Sequence, residues 1–129
     1  MIAVDTNVLV RFLVRDDAGQ AARAASLIRK EEIWISKTVL LETDWVLRSL
    51  YGYSPESVGE ALRRLAGLGT VLLEDELAVA KALDWAGEGL DFADALHLAS
   101  AGDAKLFATF DRKLAKQVKG RTGLEPLAI

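Results

Sequence analysis

The stretch Ile2-Ala3-Val4-Asp5-Thr6-Asn7 sets an apolar run with β-branched ends directly against a carboxylate and two further polar side chains. A short apolar run of this kind reads as a buried strand, and Asp is a favoured helix N-cap, so the order strand, acid, helix start is written into these residues. The same order recurs along the chain. Ile33 to Ile35 reads as a second strand, after which Ser36 caps a helix with Val39, Val46 and Leu50 on one face and a stop at Gly52. Val71 to Leu73 reads as a third strand and Leu106 to Ala108 as a fourth, with Asp111 following Phe110 at its end. Leu124 to Leu127 reads as a short edge strand, because Pro126 has no amide to give a neighbour on both sides.

Helical spacing fills the intervals. Ala21, Ala24, Ala25 and Ile28 follow Asp17; Val58, Ala61, Leu62 and Leu65 follow the start signal Ser54-Pro55-Glu56 and end at Gly67 and Gly69. Val79, Ala82, Leu83 and Ala86 precede Gly87 and Gly89, Phe92, Ala95, Leu96 and Ala99 repeat the spacing, and Leu114 with Val118 marks a last helix. Strands alternating with helices imply crossover connections and a parallel sheet covered on both faces. The expectation is one three-layer α/β/α domain over residues 1–129, with a central parallel sheet of about four to five strands.

The 129 residues are 51% hydrophobic and 27% charged, the composition of a globular domain and not of a disordered chain. There is no cysteine, which excludes disulfides, zinc-thiolate sites and thiol catalysis and fits a cytoplasmic protein. Asp5, Asn7 and Arg11 interrupt the apolar N-terminus before a signal peptide or membrane span is formed. The net charge of −3 does not advertise nucleic-acid binding, but its distribution is uneven. Lys105 to Arg121 holds six basic residues and one acid, whereas Glu74 to Asp94 holds seven acids and one base. Two solvated faces explain such runs in general; a basic rim that positions phosphates beside an acidic pocket is the sharper reading.

Five carboxylates carry that reading: Asp5, Glu42, Asp91, Asp94 and Asp111. In open α/β sheets ligands bind outside the carboxyl ends of the strands, where residues distant in sequence converge. Asp5 and Asp111 end strands, and Asp91 with Asp94 stands at a helix start, where the macrodipole favours negative charge. Capping alone accounts for each of these singly. Glu42 has Val39 three residues before it and Val46 four after, with Leu40, Leu41 and Trp45 adjacent, so the helix is expected to turn this acid toward apolar surroundings. A buried, unpartnered carboxylate costs several kcal/mol or neutralises itself, and a cation would remove the problem. The competing account is an exposed glutamate at the edge of a broad apolar stripe.

An all-oxygen donor set suits Mg²⁺ or Mn²⁺ and disfavours zinc. His97, the single histidine, fits a packing or surface role one turn beyond Asp94. No nucleophile elbow, glycine-rich phosphate loop or dinucleotide fingerprint is present. Trp34, Trp45 and Trp85 read as core or interface residues before base-stacking platforms.

Asp5-Thr6-Asn7, the run Ser36 to Glu42, Asp91-Phe92-Ala93-Asp94-Ala95 and Thr109-Phe110-Asp111-Arg112, in this order and spacing, resemble the PIN-domain family and within it the VapC-type toxins of bacterial and archaeal toxin–antitoxin pairs. The resemblance covers essentially the whole chain. It implies a metal-dependent endoribonuclease, a homodimer, and inhibition by a small cognate antitoxin of the VapB type whose tail covers the active site. Asp5, Glu42, Asp94 and Asp111 match the family acids by position, and Asp91 is an additional acid at a variable position. Thr6, Asn7 and Thr109 resemble the polar residues that orient these carboxylates, and Arg112, Lys113 and Lys116 are candidates for contact with RNA or antitoxin. Two other readings stand beside this one. A receiver domain shares the class and an acidic Mg²⁺ pocket, but Asp75 and Lys119 are poor stand-ins for its phosphoacceptor and lysine. A catalytically silent protein-binding module would keep the fold without the reaction.

Overall fold

In the computed structural model, which describes residues 1–129, Ile33 and Ile35 have 0% of their surface exposed. They belong to β2 (Ile33–Ile35), the middle strand of a parallel sheet whose other members are β1 (Ile2–Ala3) and β3 (Val71–Leu73). Ile33 pairs with both Ile2 and Val71, so the register at the centre is set by a row of β-branched residues. The chain divides into two units, Met1–Glu76 and Leu77–Ile129.

In the first unit, α1 (Thr6–Val14) and α2 (Ala18–Lys30) connect β1 to β2, and α3 (Lys37–Ser49) and α4 (Pro55–Ala66) connect β2 to β3. The start signals act as expected: Asp17 Oδ1 accepts from the Gln20 amide at 2.9 Å, Ser36 Oγ from Val39 at 3.1 Å and Ser54 Oγ from Ser57 at 3.1 Å. The buried residues of α2 are Ala21, Ala24, Ala25 and Ile28, the spaced set of the sequence. Helix α1 is the element that spacing alone did not delimit. It buries Thr6, Leu9 and Val10 and ends at Arg15 in the left-handed conformation (φ 61°), with the Arg15 guanidinium 5.7 Å from the Phe12 ring centre.

The buried face of α3 differs from the expected one. Leu40, Thr43, Asp44 and Leu47 are buried, Val39 and Val46 are half-buried, and Leu50 is 68% exposed. Apolar residues occupy both sides of this helix, so two stripes at helical spacing compete, and packing against α1 and α4 selects the second. Asp44 therefore enters the core, where a fork of bonds to Arg48 (Nε to Oδ1 3.0 Å, Nη2 to Oδ2 2.8 Å) compensates its charge.

The second unit holds α5 (Glu76–Gly87), which begins one residue before the division, α6 (Phe92–Ala99), β4 (Leu106–Thr109), α7 (Arg112–Val118) and β5 (Glu125–Ala128). Strands β4 and β5 pair in parallel, Phe107 opposite Pro126, and α7 packs on both. β5 pairs with β4 alone, the edge position that Pro126 requires. The five strands thus lie in parallel sheets of three and two and alternate with seven helices. This is the α/β class of a three-layer α/β/α domain. Of the three tryptophans, Trp85 is buried, Trp34 half-buried and Trp45 55% exposed, so Trp45 is not a core residue. No helix is long and apolar enough to cross a membrane.

The phase of α3 can be tested by chemical denaturation. Leu47→Ala is expected to cost about 2–5 kcal/mol and Leu50→Ala to stay within about 0.5 kcal/mol; comparable losses at both positions would restore the other stripe. Asp44→Asn, which removes a buried charge that accepts two bonds from Arg48, is expected to cost about 1–3 kcal/mol.

Candidate functional site

In the first unit, β1 delivers the chain to Asp5, whose side chain caps α1 through Oδ1, accepting from the Val8 amide at 3.1 Å. One carboxylate oxygen is thereby fixed in direction, while Oδ2 takes no hydrogen bond from the protein. Thr6 follows, buried, and donates its hydroxyl to Glu42 Oε1. This bond ties the start of α1 to the first half of α3 and leaves Glu42 Oε2 uncommitted. Glu42 itself is exposed. The expectation that α3 turns it into apolar surroundings is corrected, because the buried stripe runs through Asp44 on a different side of the helix. Asn7 makes no hydrogen bond to a carboxylate; its side chain lines a cleft beside α1 instead.

In the second unit, Asp91 and Asp111 are also helix caps. Asp91 Oδ2 accepts from the Asp94 amide at 3.2 Å, and Asp111 Oδ1 accepts from both Lys113 (2.9 Å) and Leu114 (3.1 Å). Asp111 Oδ2 remains without a protein partner. Thr109, the last residue of β4, holds this turn by accepting the Asp111 amide at 3.0 Å through Oγ1. It thus orients the backbone that carries the carboxylate rather than the carboxylate itself.

Asp94 lies half-buried in the first turn of α6. Burial, then the neighbouring charge of Asp91, pushes its carboxyl above the usual range; His97 pulls it down and Asp111 pushes it up again. The charges of Asp91, Asp94 and Asp111 therefore bear on one another, a crowding that a cation would relieve. His97 is exposed on the surface of α6. Nowhere in the chain do three or more acidic or histidine side chains gather closely enough to hold a metal ion. Asp75, the poor phosphoacceptor stand-in, is held in an ion pair by Lys37 at 3.0 Å. On α7 the side chains of Arg112, Lys113 and Lys116 are exposed and make no ion pair with a carboxylate, whereas Arg121 pairs with Glu88 at 3.3 Å.

Asp5 and Asp111 each follow a parallel strand, cap a helix and keep one carboxylate oxygen uncommitted, a donor type that hard divalent cations prefer. The family model described as PIN domain matches residues 2–120, and the chain belongs to the PIN-domain family. PIN domains are generally metal-dependent nucleases. Neither among curated proteins nor among solved structures is there a significant match to the chain.

Asp44 is the acid that sequence reasoning missed, and the basic residue one helical turn later, Arg48, was its available signal.

The raised Asp94 carboxyl has a consequence for stability. The fold binds a proton there more tightly than the unfolded chain does, so stability contributed by the neutral form is complete below the ordinary carboxyl range and is lost as pH rises through the raised one. With divalent cations removed by EDTA, Asp94→Asn is expected to raise the melting temperature at neutral pH and to leave it unchanged near pH ~3. Identical melting curves at neutral pH would show that the burial and crowding of Asp94 have no energetic weight.

Proposed function

We propose that this chain is a metal-dependent endoribonuclease, the toxin of a VapC-type toxin–antitoxin pair, which hydrolyses RNA phosphodiester bonds with Mg²⁺ or Mn²⁺. The observation that carries the reading is the PIN-domain match over residues 2–120, beside which Asp5, Glu42 and Asp111 each keep a carboxylate oxygen free of protein hydrogen bonds. The match runs through both units, which supports treating residues 1–129 as one working domain.

In this reading Asp5, Asp94 and Asp111 hold the cation, Glu42 binds it directly or through water, and Asp91 adds charge beside Asp94. The donor set fits: every candidate ligand is a carboxylate, the preference of Mg²⁺ and Mn²⁺. When bound, the cation supplies Lewis acidity that makes a water nucleophilic and stabilises charge on the phosphate. The protein's own contribution is orientation. Capping bonds fix one oxygen of Asp5 and of Asp111, the Thr6 hydroxyl fixes Glu42, and Thr109 fixes the turn that presents Asp111. Uncompensated, these acids repel a phosphate backbone, so cation loading is a condition of RNA binding as well as of hydrolysis. Arg112, Lys113 and Lys116 supply exposed positive charge for the RNA backbone or for the tail of a VapB-type antitoxin. The antitoxin, a cytoplasmic location and a homodimer follow from the family resemblance.

Purified protein incubated with structured RNA is expected to cleave it in Mg²⁺ or Mn²⁺, to stop in EDTA, and to lose about 100-fold or more of its rate in Asp94→Asn. Expression of the parent chain is expected to arrest growth of a bacterial host, and that of Asp94→Asn to leave it unaffected. One observation favours a second reading, a catalytically silent PIN-fold binding module: helix capping already gives Asp5, Asp91 and Asp111 a structural task. Folded protein that binds metal and cleaves none of a broad panel of RNAs would select that module.

A further inference from the structure

The groove between α1 and α2 is a cleft of about 370 Å³ that reaches Asp5 at the start of α1. Its volume is in the range of small-ligand sites, about 300–1,000 Å³, in the form of an open groove and not an enclosed cavity. Along α2 it is lined at helical spacing by Gln20, Arg23, Ala24 and Leu27, and across from them by Val8 and Arg11 of α1.

The two arginines are in different states. Arg11 is engaged through Nε and Nη1: Nε donates to Gln20 Oε1 at 2.6 Å, and Nη1 donates to Asp16 Oδ1 at 3.1 Å and to the Tyr51 hydroxyl at 3.2 Å. The Tyr51 hydroxyl in turn donates to Asp16 Oδ2 at 2.9 Å. These bonds stabilise the charged forms, holding the Arg11 guanidinium above its usual range and the Asp16 carboxyl below it, with the Tyr51 bond the largest cause of both. Arg11 is therefore a brace that ties α1 to α2 and fixes the separation of the walls. Arg23 is exposed and makes no hydrogen bond or ion pair with the protein. Its guanidinium lies back over Gly19, where an added Cβ would stand 3.6 Å from Nη1.

We propose that this cleft binds the nucleotide of a single-stranded RNA that flanks the bond to be cut, with Arg23 on its phosphate and its ribose and base against Val8, Ala24 and Leu27. The assignment rests on the ribonuclease reading above, which places Asp5 at the reacting centre and so makes the cleft continuous with it. An unpaired guanidinium with five donors suits a phosphate, which it can engage through two parallel bonds. Apolar surface beside that cation suits a ribose and a base face, and rigid walls reduce the ordering that binding requires. A basic peptide is disfavoured by the same unpaired charge.

The test measures the affinity of a fluorescein-labelled pool of short single-stranded RNAs as a function of salt, with Mg²⁺ present and every candidate cation ligand intact, read by stopped-flow anisotropy before the RNA is consumed. Arg23→Ala is expected to weaken binding about tenfold and to lower the slope of log affinity against log salt by about 0.7, the value of one phosphate contact on a single strand. Arg23→Lys is expected to recover the slope and only part of the affinity, since a lysine supplies the charge without the fork. Arg23 is exposed and unpaired, so melting temperatures of all variants are expected to match the parent. RNA affinity and slope equal to the parent in Arg23→Ala overturn the assignment while leaving the ribonuclease reading in place. Unchanged RNA affinity with lost affinity for a glutamate-rich peptide overturns it in favour of a protein ligand. A parent that binds no RNA in Mg²⁺ takes down the ribonuclease reading and this assignment together.

Discussion

Helix N-termini leave backbone amides without partners, and in this chain aspartate carboxylates satisfy them wherever a candidate ligand meets a helix start. Asp5, Asp91 and Asp111 each accept an amide from the first turn of the helix that follows. The bond does two things. It helps to decide where α1, α6 and α7 begin, and it holds each carboxylate in one orientation. A side chain chosen for capping alone could be serine or asparagine as well, as Ser36 and Ser54 show in α3 and α4. An acid at the same position brings a negative charge that the helix dipole favours and that a hard cation can use.

Around that device the first unit is braced by polar side chains rather than by apolar packing alone. Thr6 joins α1 to Glu42 of α3, Arg11 joins α1 to Gln20 of α2, and Asp44 carries its own counter-charge in Arg48 one turn along α3. The Thr6–Glu42 and Asp44–Arg48 bonds are partly screened from solvent, and such bonds hold side chains more tightly than isolated surface ion pairs do. The same braces make Arg23 conspicuous, since it lines the same cleft as Arg11 but is engaged by nothing in the protein. In the second unit burial of Asp94 comes first and charge crowding adds to it. Asp94 is partly screened from water and feels both neighbouring aspartates, with only exposed His97 to offset them.

Much of this was legible before any coordinates. The Ile33–Ile35 and Val71–Leu73 strands, the capping serines and aspartates, and the four-residue buried set of α2 all follow from local rules. Those rules succeed because capping and strand formation depend on a few consecutive residues, and because α2 has one apolar face and no rival to it. Helix α3 is the contrary case. Its residues Val39, Leu40, Leu41, Trp45, Val46 and Leu47 support two stripes, so spacing favoured Glu42 as the inward acid when the packed helix buries Asp44.

The sequence by itself determined the alternation of strands and helices, the parallel class and the edge position of the Pro126 strand, since each depends on residue type and local spacing. Only the tertiary structure decided which face of α3 is buried, that Thr6 reaches Glu42 across 36 residues of chain, and that Arg11 is committed while Arg23 is not. Those outcomes depend on which helices pack together and how far apart their side chains come to rest. Distances of that kind are not encoded in any single window of residues.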